Sequence, residues 1–278
     1  MSAVPPISNA DDERLNKLSS LAQIRIVLVE PTHPGNIGSV ARAMKTMGLS
    51  RLVLVNPKKF PHYEASKLAA GAESVLLDAQ VVQSTKDAIG DCTMVLGTSV
   101  REREVSWPTF SPRQTAAKVD QHLSETNHMV AILFGRESSG LTNAEMDLCQ
   151  SQIRISANHE YSSLNLANAV QIIAYELRMQ LLASDSGLKT SSNKLTAAKE
   201  RQVAATKLQK DGYIEHLQNT LESLDFIKVK SPTVLMRKLT RLYNKADLSV
   251  EEIQILRGIL AAMQTKIASI DVADSEGE

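Results

Sequence analysis

IRIVLVEPTHPGNIGSVARAMKTMG, residues 24–48, changes its hydrophobic rhythm partway along. Its first six residues form a continuous apolar, β-branched run, the pattern of a strand covered on both faces in a parallel sheet. EPTHPGNIG then supplies a turn rich in Pro and Gly. From Ile37 the apolar residues recur at three- and four-residue steps, through Val40, Ala41, Met44 and Met47, and Gly48 stands where a helix end favours glycine. Strand, loop and helix in that order are the repeating unit of an α/β fold.

The unit recurs downstream. RLVLVN (51–56) reads as a second strand, and EASKLAAGAESVL (64–76) as an Ala-rich helical stretch weakened by Gly71. CTMVLGTS (92–99), MVAILFG (129–135) and SQIRIS (151–156) supply three further apolar strands, each ending at a small or polar residue. Helices fit at SPRQTAAKVDQHLSE, at LTNAEMDLC and over residues 165–182. Alternation of this kind predicts a largely parallel sheet.

Composition shifts at ASDSGLKTSSNKLTAAKERQ (183–202), rich in Ser, Lys and Thr, so 183–208 reads as a linker. Residues 209–270 then carry three amphipathic helices, forming a small all-α domain after the α/β domain of 23–182. Ser231 with Pro232 opens the second of these helices, and Ser249 with Glu252 forms a capping box for the third. Residues 1–22 read as a mostly disordered tail and 271–278 as an acidic one.

The whole chain sets limits on function. Among 278 residues, Lys plus Arg and Asp plus Glu both number 31, so no global field announces a nucleic-acid or membrane partner. Any basic surface must be local. The two cysteines, Cys92 and Cys149, form no Cys-x-x-Cys pair, and six scattered histidines suggest no metal cluster. No apolar run approaches the roughly 20 residues that span a bilayer, and the N-terminus lacks the apolar core of a signal peptide. These features point to a cytoplasmic protein without membrane or metal.

Ligands of open parallel sheets sit outside the carboxyl ends of the strands. Four loops qualify, at residues 30–38, 97–101, 135–141 and 156–165. They are built from glycines, serines and asparagines, which let a ligand approach the backbone, so a nucleotide-like small molecule is the expected guest. There is no G-x-G-x-x-G and no Walker A loop. GNIG (35–38) matches the G-x-x-G of a KH RNA-binding loop, but a tight strand-to-helix turn explains it better. Ser163 as a hydrolase nucleophile lacks a G-x-S-x-G elbow and a spaced His/Asp pair. Glu137 and Asn36 also have plain readings, as a helix-end carboxylate and a turn or N-cap residue.

The order of the motifs is more telling. HPGNIGSVARAMKTMGL with Asn36 and Arg42, LFGRESSGL with Glu137, and ISANHEYSSLNLANAVQIIAYEL with Ser163 and Asn165 resemble the three signature motifs of the SPOUT superfamily in its TrmH (SpoU) branch. GTS before SWP, YSSLNLANAVQIIAYE and the later ILRGIL are similar to the TrmJ family of tRNA (cytidine/uridine-2′-O)-methyltransferases. That resemblance implies a SPOUT methyltransferase fold with a deep C-terminal trefoil knot, a homodimer, S-adenosylmethionine (SAM) as cofactor, and the 2′-hydroxyl of the pyrimidine at tRNA position 32 as acceptor. It further implies Thr98, Ser99, Val100, Gly135, Ile155, Ser162, Ser163 and Leu164 around the cofactor. Asn36, Arg42, Glu137, Ser163 and Asn165 would be catalytic.

Residues 228–245 hold Lys228, Lys230, Arg237, Lys238, Arg241 and Lys245 with no acidic residue between them. The last four recur at three- and four-residue steps, a basic stripe on one helix. A solvated helix face is the plain reading; contact with a tRNA backbone, together with Arg42, is the one the resemblance favours. A sister methyltransferase acting on another tRNA or rRNA position, and a catalytically silent RNA-binding protein, are the alternatives.

Overall fold

The computed structural model describes residues 18–101, 107–124, 128–158, 160–183, 203–227 and 232–275. Two compact units divide the chain, one up to Lys194 and the other from Leu195. The first is a seven-stranded, wholly parallel sheet in the order β3-β2-β1-β6-β4-β7-β5. Its strands are β1 (Ile24–Val29), β2 (Arg51–Val55), β3 (Gln80–Val82), β4 (Met94–Thr98), β5 (Thr109–Phe110), β6 (Val130–Phe134) and β7 (Ser151–Ile153). Between them lie α1 (Pro34–Met47), α2 (Tyr63–Ala69), α3 (Glu73–Leu77), α4 (Thr85–Ile89), α5 (Pro112–Leu123) and α6 (Asn143–Asp147), and α7 (Leu166–Ala183) follows the last strand.

The apolar runs are buried on both faces, and the two-residue period of a strand sorts them. Ile24, Ile26 and Leu28 of β1 join Val130, Ile132 and Phe134 of β6 in the core beneath α1, α2, α5 and α7. Val27, Val29, Ala131 and Leu133 point to the other face, beneath α4 and α6, with Cys92 and Cys149 buried and unbridged among them. In these two strands the larger side chains face the larger core. Arg25 is the charged exception within β1; it is buried but forked onto Asp91, at 2.6 and 2.8 Å, beside the Ala88 carbonyl.

α1 starts three residues before its hydrophobic period, at Pro34, whose fixed φ suits a first helical turn. GNIG therefore lies inside the helix, and its glycines serve packing. A Cβ on Gly38 would stand 2.1 Å from the Ala65 carbonyl oxygen, and one on Gly35 would stand 2.8 Å from Leu68 Cδ1, so α2 lies close against the first turn of α1. Gly48 ends α1 at φ +86°, and the Leu49 amide closes on the Met44 carbonyl. Full burial of Ile37, Val40 and Met44 contributes on the order of 1.5–3 kcal/mol each.

Several expectations change in detail. The Ala-rich stretch is two helices, because Ala70 and Gly71 both take positive φ, at +45° and +90°. β3, α4 and the two-residue β5 were not anticipated from periodicity, being too short to show one. Within the expected tail, Ser20–Gln23 forms a 3₁₀ turn that buries Leu21 in the main core.

The second unit contains α8 (Lys207–Ser223), α9 (Pro232–Lys245) and α10 (Val250–Ser275). Tyr213, Leu217, Ile253 and Leu260 form its core, with Ala205. Ser249 and Glu252 close their capping box through both backbone amides. α10 continues to Ser275, into the residues expected as an acidic tail. Lys228, Lys230, Ser231 and most of the expected linker lie outside the described residues. Among the described residues no helix is long and apolar enough to cross a membrane, and no group of His, Cys, Asp or Glu is placed to hold a metal.

Candidate active site

All four anticipated loops meet at the carboxyl edge of the sheet and enclose a cavity of about 580 Å³. Thr98, Ser99 and Val100 line it after β4, the residue 135–141 segment after β6, and Ile155, Ser163, Leu164 and Asn165 after β7; Asn36 enters from α1. Ser162 and Arg42 do not line it. Arg42 is exposed on α1.

Each loop is pinned. Thr98 donates its hydroxyl to the Leu133 carbonyl at 2.9 Å, and the Ser99 amide donates to the Ile153 carbonyl at 3.1 Å, so the end of β4 is tied to both of its neighbours. The 135–141 segment folds back on itself through two backbone bonds between Arg136 and Gly140. Gly140 takes φ +66°, and a Cβ on Gly135 would fall 2.0 Å from the Gly140 carbonyl carbon. Only glycine permits that closure.

Arg136 sets the outer edge. Its guanidinium donates to Glu30 from Nε at 2.9 Å and to Glu145 from Nη1 and Nη2 at 3.0 and 2.9 Å, a fork between two carboxylates. Those partners hold the Arg136 pKa above its ordinary value, so it stays charged. Its role was hidden in sequence, because Glu30 and Glu145 lie 106 and 9 residues away.

Glu137 points the other way, into the start of α1. Its carboxylate accepts from the Thr32 amide at 3.0 Å, the Thr32 hydroxyl at 2.7 Å, the His33 amide at 3.2 Å and Asn36 Nδ2 at 2.9 Å. These are donors of a helix N-terminus, where a carboxylate is favoured. Partial burial opposes its ionisation, but the bonds from Asn36 and Thr32 prevail and hold the pKa down to about 2.

Asn36 passes the constraint on. Its Oδ1 accepts from Asn165 Nδ2 at 3.1 Å, and Asn165 Oδ1 in turn accepts from the Ala167 amide at 2.9 Å, capping α7. Glu137, Asn36 and Asn165 thus form one hydrogen-bonded line across three loops, with Ser163 beside it on the cavity wall. Sequence reasoning also missed Arg101, Tyr161 and the floor residues Phe134 and Ile153. The floor residues are ordinary strand core by pattern, and only the topology shows them ending at a cavity.

Together these features define a class: α/β proteins that hold a nucleotide-like ligand at the carboxyl ends of a parallel sheet. The SpoU rRNA methylase family model matches residues 23–175, and the model for the TrmJ tRNA methyltransferase C-terminal domain matches residues 209–273. The tRNA (cytidine/uridine/adenosine-2′-O-)-methyltransferase TrmJ of Pseudomonas aeruginosa is 45% identical over 247 residues, covering 88% of this chain and 95% of that protein. The tRNA (cytidine/uridine-2′-O-)-methyltransferase TrmJ of Citrobacter koseri is 47% identical over 244 residues, covering 88% of this chain and 97% of its own length. The crystal structure of TrmJ from Z. mobilis superposes with a TM-score of 0.73 at 32% identity, covering 86% of this chain and 98% of that one. The chain belongs to the SpoU methylase family and, through both of its units, to the TrmJ methyltransferases within it.

Proposed function

We propose that the protein methylates the ribose 2′-hydroxyl of a pyrimidine in the tRNA anticodon loop, at position 32, using SAM, in the cytoplasm and as a homodimer. The observation that carries this reading is the meeting of Asn36, Glu137, Ser163 and Asn165 at one cavity in a chain of this family. Relatives named for cytidine and uridine alone, and for adenosine as well, suggest that position outranks base identity.

The cavity suits SAM. About 580 Å³ is ample for a nucleoside with an amino-acid tail, and the apolar walls at Ile155, Leu164 and Leu141 suit a base while the hydroxyls of Thr98, Ser99 and Ser163 suit polar groups. When bound, SAM supplies a methyl group on a positively charged sulfur, activated for attack by oxygen. The protein contributes position and charge. The line from Glu137 through Asn36 to Asn165 fixes the wall against which the ribose would rest, so its hydroxyl would be held for in-line approach.

A guanidinium is a poor candidate for a base, so Arg42 is given another role. In this reading it stabilises charge developing on the ribose oxygen and grips a nearby phosphate, while the proton leaves to a phosphate oxygen or water. Because Arg42 is exposed and does not line its own cavity, it would serve the cavity of a second subunit. The deep knot belongs to the same proposal.

The test is methyl transfer from labelled SAM to unmodified tRNA, followed by nuclease mapping. Label on the ribose at position 32 is the expected result. Label at another ribose would move the protein to a sister specificity, and no transfer to tRNA or rRNA would leave an RNA-binding protein.

A further inference from the structure

The loop between β2 and α2 together with the first turns of α2, NPKKFPHYEASK over residues 56–67, has no part in the cavity, yet it is built and held at the cavity's side of the sheet. β2 is the direct neighbour of β1, so their carboxyl ends lie one strand spacing apart, roughly 4.8 Å. The Lys58 amide donates to the Pro31 carbonyl at 3.1 Å, one residue before the Thr32 that Glu137 clamps. Phe60 packs on the main core, Pro57 and Pro61 restrict the backbone, and α2 is pressed onto the first turn of α1 through Gly35 and Gly38. The loop is thus tied at several points to the segment that carries Asn36.

Its outward side is basic and aromatic. Lys58, Lys59, His62 and Lys67 are exposed, against the single carboxylate of Glu64. Among the described residues neither Lys58 nor Lys59 has a partner for its ammonium group. Tyr63, at the first position of α2, is 78% exposed. In a chain with zero net charge and 4% aromatic residues, two lysines on an anchored loop and an open tyrosine at the start of the helix that follows stand out as a local feature. Ammonium groups that hold phosphates, beside a ring that stacks on an unpaired base, are the two elements of single-stranded nucleic-acid contact.

We infer that Lys58, Lys59 and Tyr63 form an RNA-contact surface of the catalytic unit, which receives the unpaired nucleotides flanking the target ribose. Lys58 and Lys59 take backbone phosphates, and Tyr63 stacks on a base. The surface is separate from the basic stripe on α9, and the inference rests on the tRNA reading above.

The full-length protein is titrated with unmodified tRNA at several salt concentrations, alongside the K58A/K59A double variant, Y63A and Y63F. For K58A/K59A, tRNA affinity should fall about tenfold near 0.1 M salt, and the slope of log affinity against log salt should flatten by about 1.5. Y63A should raise the tRNA KM about tenfold, and Y63F should restore it, because the ring and not the hydroxyl acts. SAM affinity and melting temperature should stay at wild-type values in all three. Unchanged tRNA affinity and slope in K58A/K59A would overturn the surface, and Y63F as damaged as Y63A would overturn the stacking role. Wild-type protein that neither binds nor methylates tRNA would overturn the underlying reading instead.

Discussion

Glu137 receives four donors from Thr32, His33 and Asn36, and this arrangement ties a charge to the stability of the site. A carboxyl whose folded pKa is depressed contributes stability that is present in full above its unfolded value and lost as pH falls through the folded one. For Glu137 that window runs from about 4.5 down to about 2. Glu137→Gln keeps the shape but turns an amide NH₂ toward donors. The variant should be less stable than wild type at pH 7, and the difference should shrink steadily below about pH 4.5, as read by urea denaturation across pH. A difference that stayed constant as pH fell through that window would show that the carboxylate charge is not its source. Turnover should fall at least about tenfold at neutral pH, because one amide oxygen cannot accept from all the donors that two carboxylate oxygens hold, and the line through Asn36 loosens. This role was only half legible in the sequence. A helix-end carboxylate was a reading open to Glu137, but the helix it serves starts about a hundred residues earlier, and spacing along a chain carries no record of such a meeting.

At the scale of elements, two glycines inside helices have opposite meanings. Gly38 is where α1 and α2 touch: an added Cβ would stand 2.1 Å from a backbone oxygen, which cannot swing aside as a side chain would. Gly38→Ala should destabilise the first unit by about 1–3 kcal/mol. Gly258 lies exposed within α10, with nothing within 4 Å of its added Cβ, so Gly258→Ala should stabilise the second unit by about 0.5–1 kcal/mol. Denaturation followed through the separate transitions of the two units would check both signs. In sequence the two residues look alike. Other elements were legible for a plain reason: β1 and β6 are unbroken apolar runs, α1, α5 and α7 are long enough to show a helical pattern, and Gly48 and Ser249 mark element ends. β3 and β5 have only three and two residues, and α4 is a single short turn of mixed polarity, so none shows an apolar run or a period that would reveal it. The break at Ala70 and Gly71 shows in sequence as weakness at the glycine, but alanine seldom takes a positive φ, so nothing in its type marks Ala70 as part of the break.

On the scale of the whole molecule, the chain divides its work between two units with separate cores. In the second, α9 carries Arg237, Lys238, Arg241 and Lys245, with Lys238 and Lys245 exposed and the two arginines half-buried. If these residues hold tRNA, converting Arg237, Lys238 and Arg241 together to alanine should weaken tRNA binding about tenfold or more and flatten its salt dependence, while SAM affinity is untouched. Equal tRNA affinity in the triple variant would remove the stripe from the substrate path. The location of the cavity was legible in the alternation of strands and helices, because a parallel sheet gathers its loops at the carboxyl ends of its strands whatever their sequence. The lines of contact that make it rigid were not. Asn36 meets Glu137 across 101 residues and Asn165 across 129. That separation has a consequence in time: a chain emerging from denaturant can rebuild helices locally and early, but it cannot assemble these three loops until nearly the whole sheet is in register. Recovery of catalysis should therefore trail recovery of helical signal during refolding, and a partly folded molecule would have no weakened activity to offer, only none.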